Sequence, residues 1–245
     1  MEDRELVSIT QGALAIMNPT TPAKVLAAGK AAGLGRGTRV VETGCGNGTI
    51  LALWGQEYGI SGLGIESRED ACNRAEETFR AAGLGDRLSV RCMDARDYAP
   101  DEPFDCAVSI GASHIQGGFS ATLDSLLGLV HDEGTIVIGD RCWRSDRVPP
   151  EFAREWPDVL TGYEILGTAR EAGLDVAAVI RAGPEDWDRY ESAIWQAVLS
   201  WLGSHSDHPD RDFMVGYLRR VQDEYFGYGR EYMDWAMYVM VPGFW

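Results

Sequence analysis

Three glycines at alternate positions, Gly44, Gly46 and Gly48, follow the apolar pair Val40-Val41 and precede an apolar stretch from about Thr49 to Glu57. That pattern reads as a strand turning sharply into a helix. Glycine serves such a turn twice: it adopts backbone angles that other residues avoid, and it lets a ligand approach the main chain. The spacing is GxGxG, not the GxGxxG of a dinucleotide pyrophosphate site. Gly44, Cys45 and Gly46 therefore point to a nucleotide-like ligand of another kind. Glu42 stands just before the turn, where its charge favours a cationic amino-acid-like group and disfavours a pyrophosphate. Glu66 follows Gly48 by 18 residues and is placed to accept both hydroxyls of a ribose. Asp94-Ala95 closes a later strand, where a carboxylate accepts a hydrogen bond from an adenine amine. Each acid also has a plainer reading. Glu66 suits a helix N-terminus, Asp94 suits a turn cap, and loop amides satisfy a residue such as Glu42. Their joint order favours the ligand.

A second set of residues falls where a reacting molecule would sit. In open α/β sheets, ligands bind beyond the carboxyl ends of the strands. That puts 111–116, 140–143 and an aromatic helical region around it. His114 is the candidate base, because imidazole ordinarily titrates near neutrality; the alternative is a packing or shielding side chain. Asp140 ends a strand, either to contact the reacting molecule or to cap structure. Trp143, Trp187 and Tyr232 are candidates for the wall of an apolar pocket, with plain core packing as the alternative. His205 and His208 flank Asp207 in a polar stretch and read as solvated loop, so no metal site is expected.

The elements that must position these residues follow from hydrophobic periodicity and punctuation. Residues 5–17 read as a short helix. Thr20-Thr21-Pro22 opens a helix over 23–32 that Gly33 stops. Strands are expected at 39–42, 62–66, 87–92, 104–110, 135–140, 176–180 and 235–240. Ser67 with Asp70 reads as a capping box for the helix after the second strand. Leu123, Leu126, Leu127 and Val130 mark a further helix, and 144–157 reads as a loop or broken helix. Two aromatic helices follow the sixth strand. One carries Trp187, Tyr190, Ile194, Val198 and Trp201, and the other Phe213, Tyr217, Val221 and Tyr225. Strands alternating with helices imply parallel βαβ units in one doubly wound sheet. The expected organisation is one domain over 1–245, with a helical segment at 1–33 and a helical insertion at 184–227. That insertion is either a lid over the acceptor pocket or, through its aromatic stripe, a homodimer interface.

The chain has 245 residues, 45% of them hydrophobic, enough for one sizeable core. Its net charge of −16 disfavours nucleic acid and anionic membrane surfaces as partners. Five cysteines, none in a CxxC pair, fit reduced thiols in a cytoplasmic protein better than a disulfide framework. The first residues lack the apolar run of a signal peptide.

The motifs VVETGCGNG, GLGIES, RCMDARD and FDCAVSIGASHI, taken together, resemble the class I S-adenosylmethionine-dependent methyltransferases, in the small-molecule branch related to ubiquinone-biosynthesis enzymes. The resemblance covers residues 18–143. It implies an α/β Rossmann-like, mostly parallel seven-stranded sheet with an antiparallel last strand, the helical insertion standing before it. It also implies S-adenosylmethionine as methyl donor, S-adenosylhomocysteine as product, and a small-molecule acceptor. By the same resemblance Gly44 and Gly46 would face the methionine part, Glu42 its amino-acid end, and Glu66 with Ser67 the ribose. Asp94 and Ala95 would frame the adenine, and Ser109 and Ile110 would line the cofactor. Glu42 departs from the more usual Asp, and Ser113-His114 from the commoner fourth motif. Two other functions remain open at this point: a same-fold enzyme using the cofactor for non-methyl chemistry such as cyclisation, and a non-catalytic binding protein.

Overall fold

The computed structural model describes residues 1–244. The chain begins with helices α1 (Asp3–Gln11) and α2 (Pro22–Ala31). It continues through β1 (Arg39–Thr43), α3 (Thr49–Tyr58), β2 (Ser61–Glu66), α4 (Glu69–Ala81), β3 (Leu88–Cys92) and β4 (Phe104–Ile110). Next come α5 (Phe119–Leu127), β5 (Val130–Trp143), α6 (Pro150–Ala153), α7 (Gly162–Glu171) and β6 (Leu174–Arg181). The long helices α8 (Pro184–Ser204) and α9 (Arg211–Glu224) precede a π-turn at Tyr225–Gly229, the short α10 (Arg230–Tyr232) and β7 (Met233–Pro242).

Seven strands form one sheet in the order β3-β2-β1-β4-β5-β7-β6. The first five are parallel, and β7 runs antiparallel between β5 and β6. This is the Rossmann-like arrangement that the motifs imply. The strands at the middle of the sheet are buried on both faces, so they read as continuous apolar runs such as Ala107-Val108 and Ile136-Val137-Ile138. One side of the sheet packs Val25, Leu51, Trp54 and Phe79. The other packs Phe119, Leu123, Leu126 and Ile165. Among the described residues, no helix is long and apolar enough to cross a membrane.

Several elements differ from the sequence-based expectation, each for a local reason. The first helix stops at Gln11 rather than running to 17, because the Asn47 side-chain amide donates to the Leu14 and Ala15 carbonyls, each at 3.1 Å. The capping box at Ser67 does not form. The N-cap is Arg68, whose side chain makes no capping bond; its own N–H donates to the Glu66 carboxylate at 2.9 Å, and α4 starts at Glu69. The fifth strand reaches back to Val130, which pairs with Phe104, and residues 131–134 bulge out of the ladder before Thr135 pairs with Cys106. Val130 is therefore strand, not helix. In α9 the buried positions are Met214 and Leu218, while Phe213 is half-exposed. The reason is α1: its Leu6 and Ile9 pack with Val198, Leu202, Met214 and Leu218, which turns that face of α9 inward.

Thr21 caps α2 as expected, accepting the Lys24 N–H at 3.2 Å, with Pro22 at the first helical position. Lys24 then reaches across to β6 and α8. Its ammonium bonds the Arg181 carbonyl at 2.8 Å and pairs with Asp186. Asp186 also accepts from the Gly183 amide at 2.8 Å and from Arg189 at 2.9 Å, and Arg189 reaches the Thr20 carbonyl at 3.0 Å. This polar knot ties the start of α8 to the N-terminal segment.

Candidate active site

The glycine turn takes the form its spacing demands. Gly44 and Gly46 have φ of +70° and +55°, values that cost a residue with a Cβ about 1–2 kcal/mol. A Cβ on Gly44 would lie 2.5 Å from Ala112 Cβ and 3.0 Å from Ile115 Cδ1. The Gly44 and Cys45 amides donate to the Ile65 carbonyl at 2.8 and 3.1 Å, which pins the turn to the end of β2. The Gly46 amide donates to the Glu66 carboxylate at 3.1 Å. Arg68 approaches the same carboxylate with its Nε at 3.2 Å. Glu66 thus organises the turn, the start of α4 and the cavity wall together.

The turn forms one end of a cavity of about 660 Å³, within the range of small-molecule sites. Glu42, Gly44, Cys45, Gly46, Glu66 and Ser67 line that end, with Ile110 beside them. Glu42 is 1% exposed, and its Oε2 has no hydrogen-bond partner among the described residues. Burial first, and the nearby Glu66 charge second, push its carboxyl well above the usual range. A buried carboxylate without a partner is costly, and a cationic ligand group beside it relieves that cost.

His114, Asp140 and Trp187 also line the cavity. His114 is exposed in a single 3₁₀ turn, Ser113–Ile115, after β4. Asp140 is tethered: it accepts from the Ser113 hydroxyl, and its other oxygen accepts the Arg141 N–H at 2.7 Å. Burial pushes the Asp140 carboxyl up, and the Ser113 hydroxyl and Arg141 oppose that shift. The Ser113 bond therefore ties Asp140 to the turn that carries His114.

Five of the residues singled out from sequence do not line this cavity. Asp94 caps the 3₁₀ turn Ala95–Asp97, and Arg96 holds its carboxyl down to about 2. Ala95 is buried under that turn against Val41 and Ile65. Ser109 is buried inside β4, with no partner for its hydroxyl among the described residues. Trp143 packs edge-on against Phe152 at 5.4 Å, and Tyr232 lies beside the same apolar cluster. His205 stacks on Trp201 at 4.6 Å between centroids, with His208 edge-on to it.

The cavity wall includes residues that motif reading did not select. Gln11, Met17 and Asn18 come from the N-terminal segment, and Arg141, Trp156 and Tyr190 from the sheet end and the cover. Asn18 donates to the Ile110 carbonyl at 3.2 Å, closing the segment over β4. The Tyr190 hydroxyl meets Gln11 Oε1 at 3.1 Å, joining α1 to α8. The strand-end rule covers Arg141, and the aromatic stripe covers Tyr190; nothing in the sequence points to Gln11, Met17, Asn18 or Trp156.

Comparison with known proteins agrees with this geometry. A family model described as a methyltransferase domain matches residues 40–134. The protein YjhP of Escherichia coli (strain K12) is 29% identical over 98% of this chain and 99% of its own. A crystallised S-adenosylmethionine-dependent methyltransferase from Thiobacillus denitrificans, in complex with S-adenosylhomocysteine, is 30% identical with a TM-score of 0.91, covering 99% of this chain and 100% of that one. A second such enzyme, from Geobacter sulfurreducens and also in complex with S-adenosylhomocysteine, is 32% identical with a TM-score of 0.89, covering 97% and 98%. At that similarity over essentially whole chains, the protein belongs to the S-adenosylmethionine-dependent methyltransferases, and S-adenosylmethionine is its cofactor.

Proposed function

We propose that the protein transfers the methyl group to a small-molecule acceptor held at the α1/α8 end of the cavity, with His114 receiving the acceptor's proton. The observation that carries this reading is the continuity of the 660 Å³ cavity from Glu42 and the glycine turn to Arg141, Trp187 and Tyr190. The unpartnered Glu42 oxygen, the Gly44–Gly46 backbone and Glu66 suit a ligand with an ammonium group and a ribose. In this reading Glu42 holds the amino-acid end, Gly44, Cys45 and Gly46 flank the methionine part, and Glu66 with Ser67 takes the ribose hydroxyls. Ile110 covers the ring system. Asp94, Ala95 and Ser109 act from behind this wall by shaping the strand ends.

Bound there, S-adenosylmethionine would supply an electrophilic methyl for in-line attack by the acceptor's lone pair, with the carbon–sulfur electrons left on sulfur. The chain itself supplies alignment, exclusion of water and a proton acceptor. Asp140, through Ser113, holds the loop that presents His114. Trp187 walls the acceptor, and Trp143 and Tyr232 support that wall from the core. Residues 184–227, joined to 1–33 through Tyr190, Gln11 and the Lys24–Asp186 knot, form the lid.

Calorimetric titration with S-adenosylmethionine, followed by S-adenosylhomocysteine release across a panel of small acceptors, tests the reading. Glu66→Ala weakens cofactor binding. His114→Ala leaves it intact, lowers kcat about 10²- to 10⁴-fold and flattens the acid limb of the pH–rate profile. An unchanged rate and profile in His114→Ala removes the base assignment. Absence of product with every acceptor removes the small-molecule reading.

A further inference from the structure

Behind the methyl-transfer cavity lies a second space of about 200 Å³, walled by β5, α8 and α9. Gln11, Arg141, Trp156, Trp187 and Tyr190 border both spaces, so the two are adjacent. Arg141 stands at the junction. Its guanidinium carbon lies 4.4 Å from the centroid of the Trp156 ring. Among the described residues, no carboxylate comes within ion-pair distance of it. Two carboxylates, Glu191 of α8 and Glu224 of α9, line the same chamber with the exposed Arg220 of α9, and among the described residues none of the three has an ion-pair partner. Trp187 is 7% exposed, and its indole N–H has no acceptor among the described residues.

Arg141, Glu191 and Glu224 are half-buried, and no direct ion pair joins them. Unpaired charges of both signs around one small space suit a ligand that carries both signs. The chamber's charges also limit that ligand. An acyl chain would cover three charges and satisfy none. A lone anion would satisfy Arg141 and meet two carboxylates.

We propose that this chamber is the acceptor's inner subsite and that it takes a compact zwitterion, with an ammonium group between Glu191 and Glu224 and an oxyanion on Arg141 over Trp156. The inference rests on the methyl-transfer reading above and names the substrate class for it. Burial raises Glu191 to about 7, with Glu224 reinforcing and Arg141 opposing the shift, so an ammonium group brought beside it favours the ionised form.

The test uses protein saturated with S-adenosylhomocysteine and follows 4-aminobutyrate binding by ligand-observed NMR, with propionate, butylamine and octanoate as comparison probes. The zwitterion binds at least about tenfold more tightly than either single-charge probe, and octanoate does not bind. The paired change Glu191→Gln with Glu224→Gln, and separately Arg141→Met, each weaken 4-aminobutyrate about tenfold while S-adenosylhomocysteine affinity stays at the parent value. Octanoate binding as tightly as the zwitterion, no zwitterion binding, or full affinity in the paired variant overturns the proposal. Calorimetry of S-adenosylhomocysteine on the same samples keeps the two readings apart. Cofactor binding without zwitterion binding sinks the subsite alone, and loss of cofactor binding in the parent sinks the methyl-transfer reading.

Discussion

The two ends of the cavity are made in different ways. The glycine-turn end comes from one stretch of chain, β1 through the start of α4. Much of it is backbone: positive φ at Gly44 and Gly46, amides bound to the Ile65 carbonyl and to Glu66. The other end is assembled from side chains that start far apart. Gln11, Arg141, Trp156 and Tyr190 meet only because α1, β5 and α8 pack together. Backbone geometry tolerates little variation, so the first end suits a ligand shared across a family. Side chains on separate elements vary independently, so the second end suits a ligand that differs from member to member.

The largest effect expected from this contrast comes from one methyl group on the turn. Gly44→Ala puts a Cβ into the left-handed region and against Ala112 Cβ. Displacement of the turn then costs about 2–4 kcal/mol of folding stability and at least about a hundredfold in kcat/KM. Denaturant titration and cofactor calorimetry read the two effects. Parent-like S-adenosylmethionine affinity in Gly44→Ala would show that the turn's backbone does not define the donor site.

A middle-sized effect belongs to the knot that fastens the cover. Burial acts to raise Asp186, but Lys24, the Gly183 amide and Arg189 outweigh it and hold its carboxyl below the usual range. A carboxyl depressed in the folded state stabilises that state above the unfolded value of about 3.9. The contribution fades as pH falls through the lower folded value. Asp186→Asn therefore costs about 2–3 kcal/mol near neutrality, and the Tm gap to the parent closes as the solution is acidified below pH about 4. A gap that stays constant down to strong acid would show that the knot's charge contributes nothing.

The same contrast explains what could be read from sequence. The fold was legible because buried parallel strands are continuous apolar runs and the turns between them carry glycine. The glycine-turn end of the cavity was legible because Gly44, Gly46, Glu42 and Glu66 sit at fixed offsets within one βαβ unit. Local hydrogen bonds hid other features. Asn47 draws the Leu14 and Ala15 carbonyls beyond the end of the first helix, and Glu66 takes the Arg68 N–H ahead of α4, bonds that the local pattern does not announce. The acceptor end was not legible, since nothing in the spacing of Gln11, Arg141, Trp156 and Glu191 announces that they meet. Trp143 was aromatic and at the end of β5, yet it packs into the core against Phe152, and Tyr232 lies half-buried beside the same cluster.

The smallest effect is the most informative about the acceptor end, because its sign is unusual. Glu191 faces Arg141 from β5 and Glu224, Tyr217 and Arg220 from α9 across the inner chamber. Burial holds its carboxyl at about 7, whereas the unfolded chain ionises it near 4.3. A carboxyl raised in the folded state costs nothing below the unfolded value. It costs progressively more as pH rises towards the folded one, because the unfolded state then ionises more readily. Glu191→Gln removes that cost. The variant matches the parent near pH 4 and gains about 1 kcal/mol by pH 7–8, a rise of about 2–4 °C in Tm. The same substitution weakens the zwitterionic probe. A residue whose removal stabilises the fold while weakening a ligand is one retained for binding. Equal stability in parent and variant across pH 4–8 would mean that Glu191 is solvated in the folded chain, and the unpaired charges of the chamber would then need no ligand to account for them.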